Sequence, residues 1–175
     1  MTDPALASDD KLFRLKSGAV IRAGWLQRDL PFLTRSLRFL LRPDGDSLRA
    51  NATLEAGDIG VLAVVSQNPG ITQNDLAASL VLKKSAVTRV VQRLEKRKLL
   101  QRRRSPSDRR ANLLNVTSEG AALAETLRGL TRSQHDAWFA DFDPAETAVF
   151  FDVLFRLVAK LAQDRPADAP DGDDD

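Results

Sequence analysis

The chain contains no cysteine. Disulfides, thiolate metal sites, iron–sulfur clusters and thiol-based redox switches are thereby excluded together. It has one histidine, His135. A solitary histidine makes a poor metal site, so His135 is expected to be a half-buried helix residue and no metal is expected. No apolar run approaches the roughly 20 residues that span a bilayer, and "MTDPALASDDKLFRLK" lacks the basic-then-apolar order of a secretion signal. The expectation is a cytoplasmic protein with no membrane partner. No nucleophile with its base, no glycine-rich phosphate loop and no paired-carboxylate site can be found. Neither an enzyme nor a cofactor is expected.

What is present is charge, unevenly placed. The 175 residues carry a formal net charge of only +2. Yet from Lys83 to Arg110 there are twelve Lys/Arg against Glu95 and Asp108, a net of +10 over 28 residues. The stretch "RRRSPSDRR", residues 102–110, holds five arginines in nine positions, and the last twelve residues carry six Asp against Arg165. Like charges held so close repel, and a basic block interleaved with apolar residues reads as a face for a polyanion.

Along the chain, residues 1–10 read as a disordered lead-in. From Lys11 to about Arg42 apolar residues recur at helical spacing, interrupted by Gly18, Gly24 and Pro31. This predicts two helices or one sharply bent helix, Pro31 opening the second piece. "RPDGDSLRANAT" reads as a turn-rich loop. Ile59, Val61, Leu62 and Val65 form the face of the next helix, which Asn-Pro-Gly ends. Thr72 and Asp75 make a capping-box variant that starts a helix of about two turns. In "VLKKSAVTRVVQRLEKRKLL", Val87, Val90, Val91 and Leu94 fall at i, i+3, i+4 and i+7, so one side packs inward. The other side carries Lys84, Ser85, Thr88, Arg89, Gln92 and Arg93.

Two short helices followed by such a helix form the layout of a helix-turn-helix reader. An α-helix enters the major groove, where Arg pairs with guanine and Gln, Ser or Thr reach other base edges. From this helix alone, an ordinary amphipathic helix with a wet charged face stays equally open. The residues after the helix separate the two readings. "LLQRRR" and "ANLLNVT", with Leu114 and Val116 alternating toward one face, read as strands around the turn "SPSDRR". A basic hairpin directly after a reading helix is a wing, whose arginines suit phosphates and the minor groove. Thr117 caps a further helix marked by Leu123, Leu127, Leu130, Trp138 and Phe139. "DPAE" then starts another at Asp143–Pro144, with Phe150, Val153, Leu154, Leu157, Val158 and Leu161 on its stripe. A small winged domain cannot cover these faces, and dimerisation through both chain ends would.

The segments "NPGITQNDLAASL", "KKSAVTRVVQRLEKRKLLQRR" and "SDRRANLLNVTSEG" together resemble the MarR (multiple antibiotic resistance regulator) family, nearly continuously from Leu54 to Gly120. The resemblance implies a mainly α fold with a small β wing: a winged helix-turn-helix domain flanked by N- and C-terminal dimerisation helices. The expected divisions are 11–53 for N-terminal dimerisation helices and 54–117 for the DNA-binding domain. C-terminal dimerisation helices come next at 118–163, and an acidic disordered tail at 164–175. The function implied is a homodimeric, sequence-specific regulator of transcription. It would be a repressor on a pseudo-palindromic double-stranded operator, released by a small, often aromatic or acidic, effector.

The family pattern places Arg110 of the wing's Asp-x-Arg in the minor groove, oriented by Asp108. Ser85, Thr88 and Arg89 carry recognition-helix contacts, with Lys83, Lys84, Gln92, Arg93, Arg104 and Arg109 as phosphate or base neighbours. An acidic aromatic effector would find an arginine and an aromatic wall in Arg22 and Trp25. Three positions depart from the pattern. Lys83 stands where the family often has Asp or Ser to begin the recognition helix, and Lys98 where it has glycine before the wing. Ser105-Pro106 replaces a common Asp-Pro. The alternative function is a ligand-independent architectural protein that binds DNA with little sequence preference.

Overall fold

A computed structural model of the chain describes residues 12–104 and 112–164, in two compact units that divide between Ala50 and Asn51. The first unit opens with a β-hairpin and not with the helix expected there. Strands β1 (Leu12–Arg14) and β2 (Val20–Arg22) pair antiparallel with Phe13 opposite Ile21. The turn between them closes through Leu15 N–H to the Ala19 carbonyl, with Gly18 in the left-handed region at φ 84°. Leu12, Leu15 and Ala19 suit a helical period, but Ser17-Gly18 supply a turn and Val20-Ile21 favour extended backbone. The turn chemistry prevails. A short 3₁₀ helix, Gly24–Arg28, comes after it.

Helix α1 (Leu30–Asn51) starts where Pro31 predicts, its first turn capped by the Asp29 carboxylate, which accepts from Phe32 N–H at 2.7 Å. It then runs straight through the "RPDGDSLRAN" stretch expected to be a loop. Pro43 sits inside the helix at the loss of one backbone hydrogen bond. Asp46 ties the turns around it together, pairing with Arg42 at 3.6 Å and with Arg49. The expected pair of helices in 11–53 is thus a hairpin, a 3₁₀ turn and one 22-residue helix.

The second unit contains α2 (Asp58–Gln67), β3 (Ile71–Thr72), α3 (Gln73–Ser79), α4 (Lys84–Lys96), β4 (Leu100–Arg104), β5 (Asn112–Val116), α5 (Ser118–Trp138) and α6 (Pro144–Asp164). The three strands form one antiparallel sheet in the order β3-β5-β4, with Leu100 opposite Val116 and Ile71 opposite Leu114. Its core joins Val61, Leu62 and Val65 of α2, Leu76 of α3, Val87, Val91 and Leu94 of α4, and Leu114 of β5, all without exposed surface. Each such side chain contributes about 1.5–3 kcal/mol by leaving water. The caps read from sequence are made. Thr72 Oγ1 accepts from Asp75 N–H, Thr117 Oγ1 from Gly120 N–H, and the Asp143 carboxylate from Ala145 N–H.

Two helix ends are closed by non-glycine residues in the left-handed region. After α3, Val81 has φ 53°, and the N–H groups of Val81 and Leu82 return to the carbonyls of Ala78 and Ala77. After α4, Lys98 has φ 59°, and the N–H groups of Lys98 and Leu99 return to Glu95 and Leu94. Both are Schellman closures, which ordinarily put glycine at this position. Helices α5 and α6 meet in an aromatic cluster. The half-buried His135 lies 5.2 Å from Trp138 and 5.8 Å from Phe151, centroid to centroid, and Phe139 packs edge-on to Phe151. The far end of α6 leaves Phe155 75% exposed, with Val158 and Leu161 also open to solvent.

Candidate nucleic-acid interface

Helix α4 is held from behind by Val87, Val90, Val91 and Leu94, all buried. Its front is therefore fixed in orientation. Ser85, Arg89 and Gln92 recur there at i, i+4 and i+7 and are exposed, with Lys84 at the edge. Among the described residues none of these four side chains has a hydrogen bond or ion pair. A fixed helix with an unspent row of Ser, Arg and Gln has the chemistry that base edges and phosphates require. Lys83 is the N-cap residue in extended backbone and makes no side-chain cap bond, as expected of a lysine there.

Arg93 stands apart from that row. It lies about a quarter turn from the front row, where α4 faces the start of α2, and its guanidinium is spent inside the unit. Nε and Nη2 donate to the Asp58 carboxylate at 3.0 and 2.5 Å, and Nη1 lies 3.0 Å from Glu55. Asp58 is fully buried, and its other oxygen accepts from Glu55 N–H at 2.9 Å. The Asp58 hydrogen bond, with the charges of Asp58 and Glu55, raises Arg93 above its ordinary pKa against desolvation. This side chain brackets the start of α2 to α4. Four residues on, Arg97 donates to the Thr53 and Ala52 carbonyls at 2.8 and 3.3 Å. The two arginines thus clip the segment 52–58 to the reading helix.

The wing strands are formed. Arg102 on β4 turns back to an ion pair with Glu95 at 3.1 Å, whereas Arg103 and Arg104 are exposed at the strand's outer end. Asp108, Arg109 and Arg110 lie outside the described residues. The base of the wing is welded to the next helix. Thr117 Oγ1 donates to the Lys98 carbonyl at 2.7 Å, and Thr117 N–H to the Leu99 carbonyl at 3.1 Å. A Cβ at Gly120 would stand 2.0 Å from the Leu99 carbonyl oxygen, so only glycine fits.

Sequence reasoning missed Gln73, the first residue of α3, whose side-chain amide donates to Thr88 Oγ1 on the reading helix. No periodicity marks this contact, because it joins two elements 15 residues apart. Arg22 and Trp25, expected to meet an effector, both lie in the first unit. Trp25 is 71% exposed and Arg22 lies on an exposed strand. Within the second unit a cavity of about 830 Å³ opens between α2, α5 and α6. That cavity is lined by Ile59, Leu127, Arg128, Arg132, His135 and Phe151, among others. Arg128 is paired with Glu125 at 2.9 Å. Arg132 has no partner among the described residues. No group of His, Asp and Glu among the described residues could hold a metal, and no described helix is long and apolar enough to cross a membrane.

Comparison with known proteins bears on the same region. Residues 53–111 match the family model described as MarR family. A protein of Thauera aromatica described as a putative transcriptional regulatory protein for the hcr operon is 35% identical over 102 residues, covering 58% of this chain and 61% of its own. The chain thus spans about three fifths of that relative's length. Among solved structures, the PcaV transcriptional regulator from Streptomyces coelicolor, in complex with its natural ligand, is similar at 27% identity with a TM-score of 0.63. The match covers 77% of this chain and 94% of that one. FabT of Streptococcus pneumoniae, in complex with DNA, shares the fold at 21% identity with a TM-score of 0.64, over 80% and 99% of the two chains. The α4 helix, the wing strands, the Thr117–Gly120 junction and these likenesses agree: residues 53–111 carry the match to the MarR family, and the fold is that of winged helix-turn-helix proteins.

Proposed function

We propose that the protein is a homodimeric, sequence-specific DNA-binding regulator of transcription, a repressor that a small molecule releases from a pseudo-palindromic operator. The observation that carries this reading is the division of α4, whose back is sealed in the core while Ser85, Arg89 and Gln92 are presented without partners among the described residues. Arg103 and Arg104 extend the basic surface onto the wing. A fold of this kind holds DNA in FabT and a ligand in PcaV. The second copy is supported by Phe155, Val158 and Leu161 on α6 and by Phe39 and Leu40 on α1, a load of exposed apolar surface that a lone chain would not keep in water.

For the effector, the cavity between α2, α5 and α6 supplies the two groups an acidic aromatic molecule needs. Arg132 supplies a cation for a carboxylate, and the His135–Phe151 stack supplies a flat wall. Release then works by population shift. The effector binds best to a dimer whose two reading helices no longer match successive major grooves, about 34 Å apart.

The test is affinity for the chain's own promoter against random duplex at fixed salt, since binding falls steeply as ions rise. A regulator prefers its site by roughly a thousand-fold or more. Equal affinity for both duplexes would leave the architectural alternative. Light scattering tests the dimer, and small molecules that release the selected duplex test the effector.

A further inference from the structure

The Gln73–Thr88 contact has a chemical consequence for what α4 can read. A threonine hydroxyl has one proton and two lone pairs. Thr88 gives its proton to the Lys84 carbonyl, at 2.8 Å. With that proton spent, Gln73 must present the nitrogen end of its amide, and the N–H takes one lone pair. One lone pair remains, and it belongs to a half-exposed side chain flanked by Ser85, Arg89 and Gln92 on the front of α4. Toward a duplex, Thr88 can therefore accept and cannot donate.

We propose that Gln73 is a specificity-determining positioning residue: its N–H fixes Thr88 in the rotamer whose proton goes to the Lys84 carbonyl, so that the hydroxyl meets a base as an acceptor and the base opposite Thr88 must present a donor. In the major groove the donors are the adenine N6 and cytosine N4 amino groups, whereas guanine O6 and N7 and thymine O4 are acceptors. A guanine or thymine facing Thr88 would set acceptor against acceptor. Gln73 touches no base in this scheme; it acts through Thr88. The inference rests on the DNA-reading role proposed for α4.

The experiment selects duplexes from a randomised library at one stated salt concentration, using the full chain and three variants whose folding is checked by circular dichroism and thermal melting. Thr88→Val removes the hydroxyl at constant shape and marks the base position that Thr88 reads. The wild type should prefer adenine or cytosine at that position and Thr88→Val should lose the preference. Gln73→Met keeps length but donates nothing, so the Thr88 side chain is no longer held in the rotamer that bonds the Lys84 carbonyl, and its hydroxyl can swing away and turn its proton to the base. Discrimination against guanine and thymine should fall about five-fold there, the worth of one neutral hydrogen bond, with other positions unchanged. Gln73→Lys, which can only donate, should restore it.

Unchanged preference in Gln73→Met at the marked position, or relaxation spread evenly over the site, would overturn the inference, the second because it marks a general loosening of α4. Selection that is sharp in the wild type and identical in Thr88→Val overturns it too, while the DNA-reading role stands. A wild type that selects no sequence removes the sequence-reading role and this inference together.

Discussion

Gly120 offers the sharpest conflict between local propensity and tertiary geometry. It lies in the first turn of α5, where helix propensity alone predicts that Gly120→Ala stabilises by about 1 kcal/mol. The geometry predicts the reverse. An added Cβ would stand 2.0 Å from the Leu99 carbonyl oxygen and 2.9 Å from its carbon, both backbone atoms that cannot rotate away. Reaching an ordinary contact of roughly 3.4 Å means lifting the start of α5 off Leu99, the residue that leads into β4. Three hydrogen bonds pin that junction: Thr117 N–H to Leu99 at 3.1 Å, Thr117 Oγ1 to Lys98 at 2.7 Å, and Gly120 N–H to Thr117 Oγ1 at 3.0 Å. At about 1 kcal/mol each their loss costs about 3 kcal/mol, so the net change is a destabilisation of about 2 kcal/mol. The melting temperature should fall by roughly 4–8 °C for a chain of this size. Gly129→Ala, in the same helix with open space around it, is the control and should raise stability by up to about 1 kcal/mol. Urea unfolding at one protein concentration measures both. A Gly120→Ala protein as stable as the wild type would refute the packing argument.

Arg93→Met should destabilise by about 3 kcal/mol, because it strands the buried Asp58 carboxylate with only the Glu55 N–H as partner; full stability with weakened DNA binding would instead return Arg93 to the reading face. Val81→Gly and Lys98→Gly each relieve a left-handed residue that costs about 1–2 kcal/mol, less about 0.5–1 kcal/mol from the freer unfolded chain. Each should therefore gain roughly 0.5–1 kcal/mol in urea unfolding, and a loss at either site would contradict the torsional account. Arg89→Ala should erase discrimination among base sequences in fluorescence-anisotropy titrations, whereas a uniform loss over all duplexes would make it a phosphate contact.

Much of the second unit was legible because its signals are local and agree with one another. The Val87–Leu94 period, the Thr72 and Thr117 caps and the Asp143-Pro144 start each mark an element, and all of them form. The strain at Lys98 was legible too, since a lysine stands where the chain must turn left-handed. The first unit was harder. Residues 12–22 carry two compatible periods, and only the Ser17-Gly18 turn decides between helix and hairpin. Pro43-Asp44-Gly45 has the composition of a loop, yet a proline costs a helix one bond while the Asp46 pairs bridge the turns beside it. At the candidate site, α4's front was legible from spacing, whereas Arg93's engagement was not. Its partner Asp58 is 35 residues away and carries no mark of its burial.

The Arg93–Asp58 bracket also decides what an occupant of the cavity would have to move. Ile59, Ala63, Ser66 and Gln67 of α2 form one wall of that chamber, and the same helix begins at the carboxylate gripped by Arg93. An occupant that pressed α2 outward would have to break or carry along that ion pair, and with it α4. One ion pair thus joins the chamber's wall to α4.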